Sequence, residues 1–178
     1  MRQNAPQKVM VVGNVAAGKT RLSRRLATLW DLPLMHIDSV QFLPGMKIRA
    51  LPEIRTAIKA IENQERWLID GYGPLDMLEN RFKLADRIIF IDFPLWRHQW
   101  WLVKRQIKNL WSRRPELPPE CDERNWEHTQ KMFKVLKSAH KQMRPELLRI
   151  FAREEFKSKV LIVKTLRDWR RVYKTGSF

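Results

Sequence analysis

The chain has 178 residues, of which 44% are hydrophobic, so one domain with a substantial core is expected and wholesale disorder is excluded. Its single cysteine, Cys121, excludes an intrachain disulfide, no apolar run is long enough to span a membrane, and the polar start lacks a signal-peptide core, which together predict a cytoplasmic protein. The net charge of +16 favours anionic partners, and nucleotides, nucleic acid and acidic membranes remain alternatives.

The first predicted element is an apolar strand at residues 9–12, and it leads directly into a phosphate-binding loop. Residues 13–20 read G-N-V-A-A-G-K-T, the complete G-x-x-x-x-G-K-[ST] pattern, and leucines at 22, 26 and 29 follow with the period of a helix. In such a loop, backbone N–H groups converge on phosphate oxygens at the positive end of the helix. Lys19 is predicted to reach the β- and γ-phosphates as a catalytic residue, and the Thr20 hydroxyl to ligate Mg²⁺. The residues predicted to bind nucleotide are Gly13, Asn14, Val15, Ala16, Ala17, Gly18, Lys19 and Thr20.

Strand and helix patterns alternate along the rest of the chain. Apolar runs at residues 34–38, 67–71, 88–92 and 160–163 predict four more strands, and helical spacing appears at residues 53–61, 96–111 and 125–143. Alternation of this kind predicts a three-layer α/β fold with a five-stranded parallel sheet, formed by a single domain over residues 1–178. Residues 97–145 are predicted to form a helical lid within it.

Acidic residues end three of the predicted strands, where ligands of such sheets bind. Either Asp70 or Asp92 can organise Mg²⁺; we favour Asp70, because a kinase-like sheet places its strand beside the first one, next to Thr20. Asp38 is predicted to orient an acceptor hydroxyl or phosphate, with a capping role as the alternative. His36 is interpreted as a packed strand residue.

Basic residues of the central region are candidates for transition-state stabilisation. Arg105 and Arg113 are two helical turns apart, and Arg114 and Arg124 flank a proline-rich break at residues 113–119. A lid that carries arginines can close over phosphates and exclude water. We therefore predict catalytic roles for Arg105, Arg113 and Arg114, and substrate binding for Arg124.

The stretch 96–111 places tryptophan and aliphatic residues along one helix face. Packing of this face against the sheet is the favoured interpretation. An interfacial membrane helix and a platform for single-stranded nucleic acid are the alternatives.

Several segments resemble the P-loop nucleoside monophosphate kinases, and more closely the small adenylate-kinase-like bacterial proteins called topology modulation or FlaR-like proteins. Besides the loop, the resemblance rests on residues 32–38, 67–71, 85–94 and 114–118, with Cys121. It implies the strand order 2-3-1-4-5, ATP as the donor, Mg²⁺ organised by Asp70 through water, and an arginine for the acceptor phosphate, for which Arg81 is the nearest candidate. Where close relatives read Asp-Gly-Asn-Tyr, this chain has D-G-Y-G at residues 70–73, and its acceptor segment after Asp38 is short.

Two functions follow from these features. The favoured one is a kinase that transfers the γ-phosphoryl group of Mg·ATP to a nucleoside monophosphate or a similar small acceptor. The alternative is a basic nucleotide-dependent switch that binds nucleic acid and turns over little ATP.

Overall fold

The structure, a computed structural model, describes residues 5–109, 111 and 126–176. Strands and helices alternate in it as the sequence predicts. The strands are β1 (Lys8–Gly13), β2 (Leu34–His36), β3 (Phe42–Leu43), β4 (Lys47–Ile48), β5 (Trp67–Asp70), β6 (Arg87–Ile91) and β7 (Val160–Val163). The helices are α1 (Lys19–Trp30), α2 (Ile37–Gln41), α3 (Leu51–Glu62), α4 (Leu78–Leu84), α5 (Leu95–Asn109), α6 (Trp126–Ser138), α7 (Arg144–Phe151), α8 (Glu154–Lys157) and α9 (Leu166–Thr175).

The five long strands form one parallel sheet in the order β2-β5-β1-β6-β7. Counted without the short hairpin β3–β4, this is the predicted order 2-3-1-4-5, so the predicted fold class is confirmed. The order puts β5 directly beside β1, with Val11 opposite Asp70 in register. The carboxyl ends of β1, β2 and β5 therefore meet at one edge of the sheet.

Two apolar layers hold helices on the two faces of this sheet. Along β1, Met10 and Val12 face one layer with α3, α4 and α7, while Val9 and Val11 face the other layer with α1 and α9. Because successive side chains of a strand point to opposite faces, a strand covered on both faces is apolar throughout. This explains the continuous apolar run that predicted β1.

The central helices differ from the prediction in one respect. Helix α6 continues through a π-helical turn, Ala139–Met143, into α7, so helical structure extends beyond the helix predicted at residues 125–143. Arg113, Arg114, Arg124 and Cys121 lie outside the described residues, so the predictions made for them stay predictions.

The interpretation of the tryptophan face as core was wrong. Its residues are exposed, namely Trp96 at 59%, Trp100 at 54%, Val103 at 37%, Ile107 at 51% and Trp111 at 78% of the surface of the residue. Helix α5 instead buries the opposite side, with Leu102 fully inaccessible. None of the helices within the described residues is both long and apolar enough to cross a membrane.

Candidate functional site

A cleft of about 1090 Å³ opens at the carboxyl edge of the sheet. The whole phosphate loop lines one wall, and residues after β2 and β5 line another. Helices α5 and α6 contribute Arg105, Lys108, His128, Met132 and Val135. This is the position at which ligands bind in open parallel sheets, and it brings most of the sequence-predicted site residues into one cavity.

The backbone of the loop explains why small residues are needed. Gly13 has a φ of +154°, and a Cβ there would lie 2.8 Å from the Ile91 carbonyl oxygen. Gly18 has a φ of +80° and precedes the first residue of α1. Side chains at either glycine would be strained, so these residues let the chain turn tightly from strand to helix. The turn directs the helix N-terminus, with its partial positive charge, into the cleft.

Polar side chains brace the loop from within. Lys19 Nζ donates to the carbonyl oxygens of Gly13, at 3.0 Å, and Asn14, at 2.9 Å. Asn14 accepts a hydrogen bond from the Val15 amide at 2.7 Å and donates to the Leu136 carbonyl of α6 at 3.0 Å. The loop is thus connected to α6, and the Lys19 ammonium group is held over the place where phosphates bind in loops of this type.

A hydrogen-bonded cluster joins the loop to the adjacent strand ends. Thr20 Oγ1 donates to Asp70 Oδ2 at 2.9 Å, and His36 Nδ1 lies 2.9 Å from the same oxygen. The other carboxylate oxygen, Asp70 Oδ1, is buried and makes no hydrogen bond. A buried carboxylate oxygen beside a threonine hydroxyl fits a hydrated Mg²⁺ ion, which prefers oxygen ligands and retains waters.

His36 belongs to this cluster, although the sequence interpretation left it out. Its Cα pairs with that of Asp70 across β2 and β5, and its side chain lines the cleft. A carboxylate only accepts hydrogen bonds, so the ring donates from a protonated Nδ1. The sequence did indicate that His36 could belong to the site, because it lies two residues before Asp38 at the end of a strand. That its side chain meets Asp70 was decided by the register of β2 and β5.

Of the remaining predicted residues, Asp38 and Arg105 both line the cleft. Asp38 lies in the first turn of α2, where a carboxylate also interacts favourably with the helix dipole. Its position is therefore compatible both with the helix-end alternative and with a role in binding the acceptor. Asp92, the rejected candidate for the metal, forms a two-point ion pair with Arg144 instead, at 2.5 and 2.9 Å. These bonds raise the pKa of the Arg144 guanidinium and leave Asp92 in a structural role.

Next to that ion pair, a small cavity lies behind the loop and contains buried titratable groups. Burial lowers the pKa of His98 to about 4, with Lys19 and His140 as further causes, so the ring is neutral at pH 7. Burial also raises the pKa of the Tyr72 phenol. Both groups are uncharged at neutral pH, and they form part of the packing behind the loop.

The prediction for Arg81 is corrected by its position. Its side chain is fully buried, donates from Nε to Glu62 Oε1 at 2.7 Å and from Nη1 to the Tyr72 carbonyl at 2.6 Å, and does not line the cleft. A guanidinium group enclosed in a buried ion pair is not accessible to a substrate phosphate. We therefore do not retain Arg81 among the candidate substrate-binding residues, and assign it to the support of the loop after β5.

Solved structures share this fold at low sequence identity. A gluconokinase from Sinorhizobium meliloti 1021 aligns with a TM-score of 0.50 and 12% identity over 96% of this chain and 91% of its own. A shikimate kinase from Bacteroides thetaiotaomicron aligns with a TM-score of 0.54 and 13% identity over 98% and 100%. A shikimate kinase from Acinetobacter baumannii in complex with shikimate aligns with a TM-score of 0.55 and 14% identity over 96% of this chain and 90% of its own.

At these identities the likeness establishes the fold, which is that of the P-loop kinases. No family model matches the sequence, and no curated protein matches it. The closer resemblance to the topology modulation proteins therefore stays a prediction.

Proposed function

We propose that the chain is an ATP-dependent phosphotransferase that moves the γ-phosphoryl group of Mg·ATP to a small acceptor. The observation that carries the proposal is the hydrogen bond from Thr20 to Asp70 beside Lys19, at a glycine-bounded helix N-terminus. A hydroxyl, a carboxylate and an ammonium group assembled there meet the main requirements of phosphoryl transfer, which are positioning and charge stabilisation. The kinase names of the structural neighbours agree with the proposal.

The roles of the residues follow from their chemistry. Amides of the loop bind phosphate oxygens, and Lys19 exchanges its two loop carbonyls for phosphate and stabilises the developing negative charge. Thr20 and Asp70 would hold Mg²⁺, Asp70 through water, and the ion when bound neutralises charge on the β- and γ-phosphates. His36 keeps the Asp70 carboxylate in one orientation through its hydrogen bond.

The segment 97–145 is proposed as the lid over this site. Arg105 and Lys108 of α5 line the cleft, so this helix already forms one of its walls. The predicted lid residues Arg113, Arg114 and Arg124 follow in the sequence, outside the described residues. Closure of such a segment would exclude water and add positive charge near the transferred group.

The acceptor end of the cleft favours a hydroxyl group over a phosphate. The acceptor end consists of the lining residues within positions 36–46 and within positions 70–75. These residues include Asp38 and Asp70 but no lysine or arginine. A carboxylate accepts a hydrogen bond from a substrate hydroxyl, while it repels a phosphate. Hydroxylated metabolites thus fit this end better than the nucleoside monophosphate of the sequence-based hypothesis, whose phosphate would need the lid arginines.

The experiment that tests the proposal is ADP release from Mg·ATP in the presence of hydroxylated metabolites and nucleoside monophosphates, with the Lys19→Ala variant as the blank. Stimulation by one acceptor that disappears in the variant would establish a kinase and its substrate class. Tight ATP binding without stimulation by any acceptor would contradict the proposal and favour the nucleotide-switch hypothesis.

Asp38→Asn tests the acceptor role. We expect kcat/KM for the acceptor to fall about 10²-fold or more, because an amide is a poor general base and orients a hydroxyl differently, while the affinity for ATP stays the same. Steady-state kinetics with the stimulating acceptor, together with ATP titration, measure both quantities. Asp31→Asn makes the same change of charge at an exposed residue outside the cleft and serves as the control. A purely capping role would instead lower stability and leave kcat/KM unchanged.

His36 provides a separate test of the metal site. Replacement by leucine removes the donor to Asp70 and is expected to raise the Mg²⁺ concentration at half-maximal ADP release about tenfold. Asparagine offers an N–H group close to the position of Nδ1 and should restore most of the wild-type dependence. Titration of Mg²⁺ at saturating ATP measures the effect. Equal Mg²⁺ dependence in the leucine and asparagine variants would show that the hydrogen bond has no such role.

A further inference from the structure

Helix α5 has two opposite faces of different character. At about 100° per residue, its buried residues His98, Leu102 and Asn109 cluster on one side of the helix. The exposed apolar residues point about 180° away from that side. We call them the tryptophan stripe; its members are Trp96, Trp100, Val103 and Ile107 on α5, with Trp111 in the turn two residues beyond the end of the helix. Clustered apolar residues on a surface mark an interaction site, whereas scattered ones do not.

The charge along the stripe has one sign. Between positions 93 and 111 the sequence contains lysine and arginine but neither aspartate nor glutamate. Arg97 lies 5.0 Å from the ring centre of Trp96, and Lys104 lies 5.0 Å from that of Trp100. Both cations project from the same flank of the stripe, at about 60° to 80° from its centre on the helix. An apolar stripe with a cationic flank is complementary to a surface that is apolar inside and anionic outside.

We propose that the tryptophan stripe binds the surface of bilayers that contain anionic lipids. Indole rings prefer the boundary between acyl chains and headgroups, valine and isoleucine enter the apolar layer, and lysine and arginine contact lipid phosphates. This inference does not depend on the proposed function.

Lipid is favoured over single-stranded nucleic acid by two properties of the stripe. Nucleic-acid platforms combine stacking rings with a positively charged groove that follows the backbone. Here the rings of Trp96 and Trp100 project from one helix, and aliphatic side chains, which do not stack on bases, separate Trp100 from Trp111 beyond the helix end. The stripe therefore has the composition of an interfacial helix. Of the cleft-lining residues of α5, Arg105 and Asn109 lie on other sides, and Lys108 lies about 100° from the centre of the stripe, next to its cationic flank.

The test is flotation of the full chain with vesicles of neutral phosphatidylcholine, alone or mixed with phosphatidylglycerol, at two salt concentrations. We expect binding to the anionic vesicles, weakened by salt. The double variant Trp96→Ser/Trp100→Ser should bind about tenfold more weakly or worse. Ile48→Ser/Leu51→Ser removes exposed apolar surface elsewhere, at residues that are 69% and 47% exposed, and should bind like the wild type.

Charge is tested by a second matched pair. Arg97→Gln/Lys104→Gln should reduce binding to anionic vesicles about tenfold, because each cation near such a surface contributes substantially. Arg170→Gln/Lys174→Gln removes one arginine and one lysine from exposed positions of α9 and should leave binding close to that of the wild type.

Two outcomes would overturn the proposal: no flotation with anionic vesicles, and equal binding by the stripe variants and their controls. In the first case, a dimer seen by analytical ultracentrifugation, or a complex with a single-stranded oligonucleotide seen by fluorescence anisotropy, would assign the stripe to that occupant if the tryptophan variant abolishes it. Circular dichroism of each variant establishes that it is folded.

Discussion

Replacement of Lys19 by alanine is expected to lower kcat/KM for ADP release by about 10²- to 10³-fold while the protein stays folded. The ammonium group is the only part of the loop that brings a full positive charge to the phosphates, since the amides of residues 13–18 supply partial charges. Its hydrogen bonds in the structure go to the carbonyls of Gly13 and Asn14, which lie beside the cleft and are accessible to water when the side chain is removed.

Steady-state ADP release as a function of Mg·ATP concentration, at saturating acceptor, measures the effect, and thermal denaturation checks the fold. Lys8→Ala is the matched control, because Lys8 is the first residue of β1, the strand that leads into the loop, and lies at the end of that strand away from the cleft. The control should keep wild-type kinetics. If Lys19→Ala retained kcat/KM within about threefold, the loop would not serve phosphoryl transfer, and the proposed function would be wrong.

The second large effect, on the stability of the fold, is expected when the buried ion pair between Arg81 and Glu62 is broken. Arg81→Met should lower the free energy of unfolding by about 3–5 kcal/mol, because it leaves the Glu62 carboxylate, whose side chain is only 5% exposed, without its partner. The variant also removes the hydrogen bond to the Tyr72 carbonyl, which supports the loop after β5. For a chain of this length we expect the Tm to fall by about 10 °C. Urea unfolding and calorimetry measure the two quantities.

The double variant Arg81→Met/Glu62→Leu separates loss of the pair from loss of packing. Two apolar side chains of similar length should recover most of the stability, since the cost of desolvating two charges largely cancels their attraction. Arg55, whose pair with Asp76 is 42% and 59% exposed, provides a matched control for breaking an ion pair. Arg55→Met should change the unfolding free energy by about 1 kcal/mol at most. A loss below 1 kcal/mol in Arg81→Met would contradict the structural role.

The phosphate loop and its position were predictable because both depend on local chemistry. Four fixed residues within eight positions, a preceding apolar run and a following helix period all describe one strand-turn-helix unit. The adjacency of Asp70 and Thr20 was also reached from the sequence, through the sheet order that the kinase-like arrangement implies. Asp70 and Asp92 both follow predicted strands, and only strand order distinguished the two acids.

Other parts of the site depend on register and burial, which periodicity does not encode. His36 meets Asp70 because β2 and β5 pair with these residues opposite each other. Arg81 was predicted to bind the acceptor phosphate because it is the nearest candidate for the arginine that the resemblance implies, but α4 places it against Glu62. The short hairpin β3–β4 was not predicted, since two-residue strands leave no alternating pattern.

The sequence by itself determined the strand-loop-helix unit with the phosphate-loop pattern, the alternation that produces a parallel sheet and the acids at the strand ends, because each is encoded by residues close in the chain. Tertiary structure alone decided that Asp70 also meets His36, that Asp92 pairs with Arg144, and which arginine was enclosed. It also decided that the tryptophan stripe faces outward. Periodicity shows that one face of a helix is apolar, but contacts between distant segments determine what covers that face.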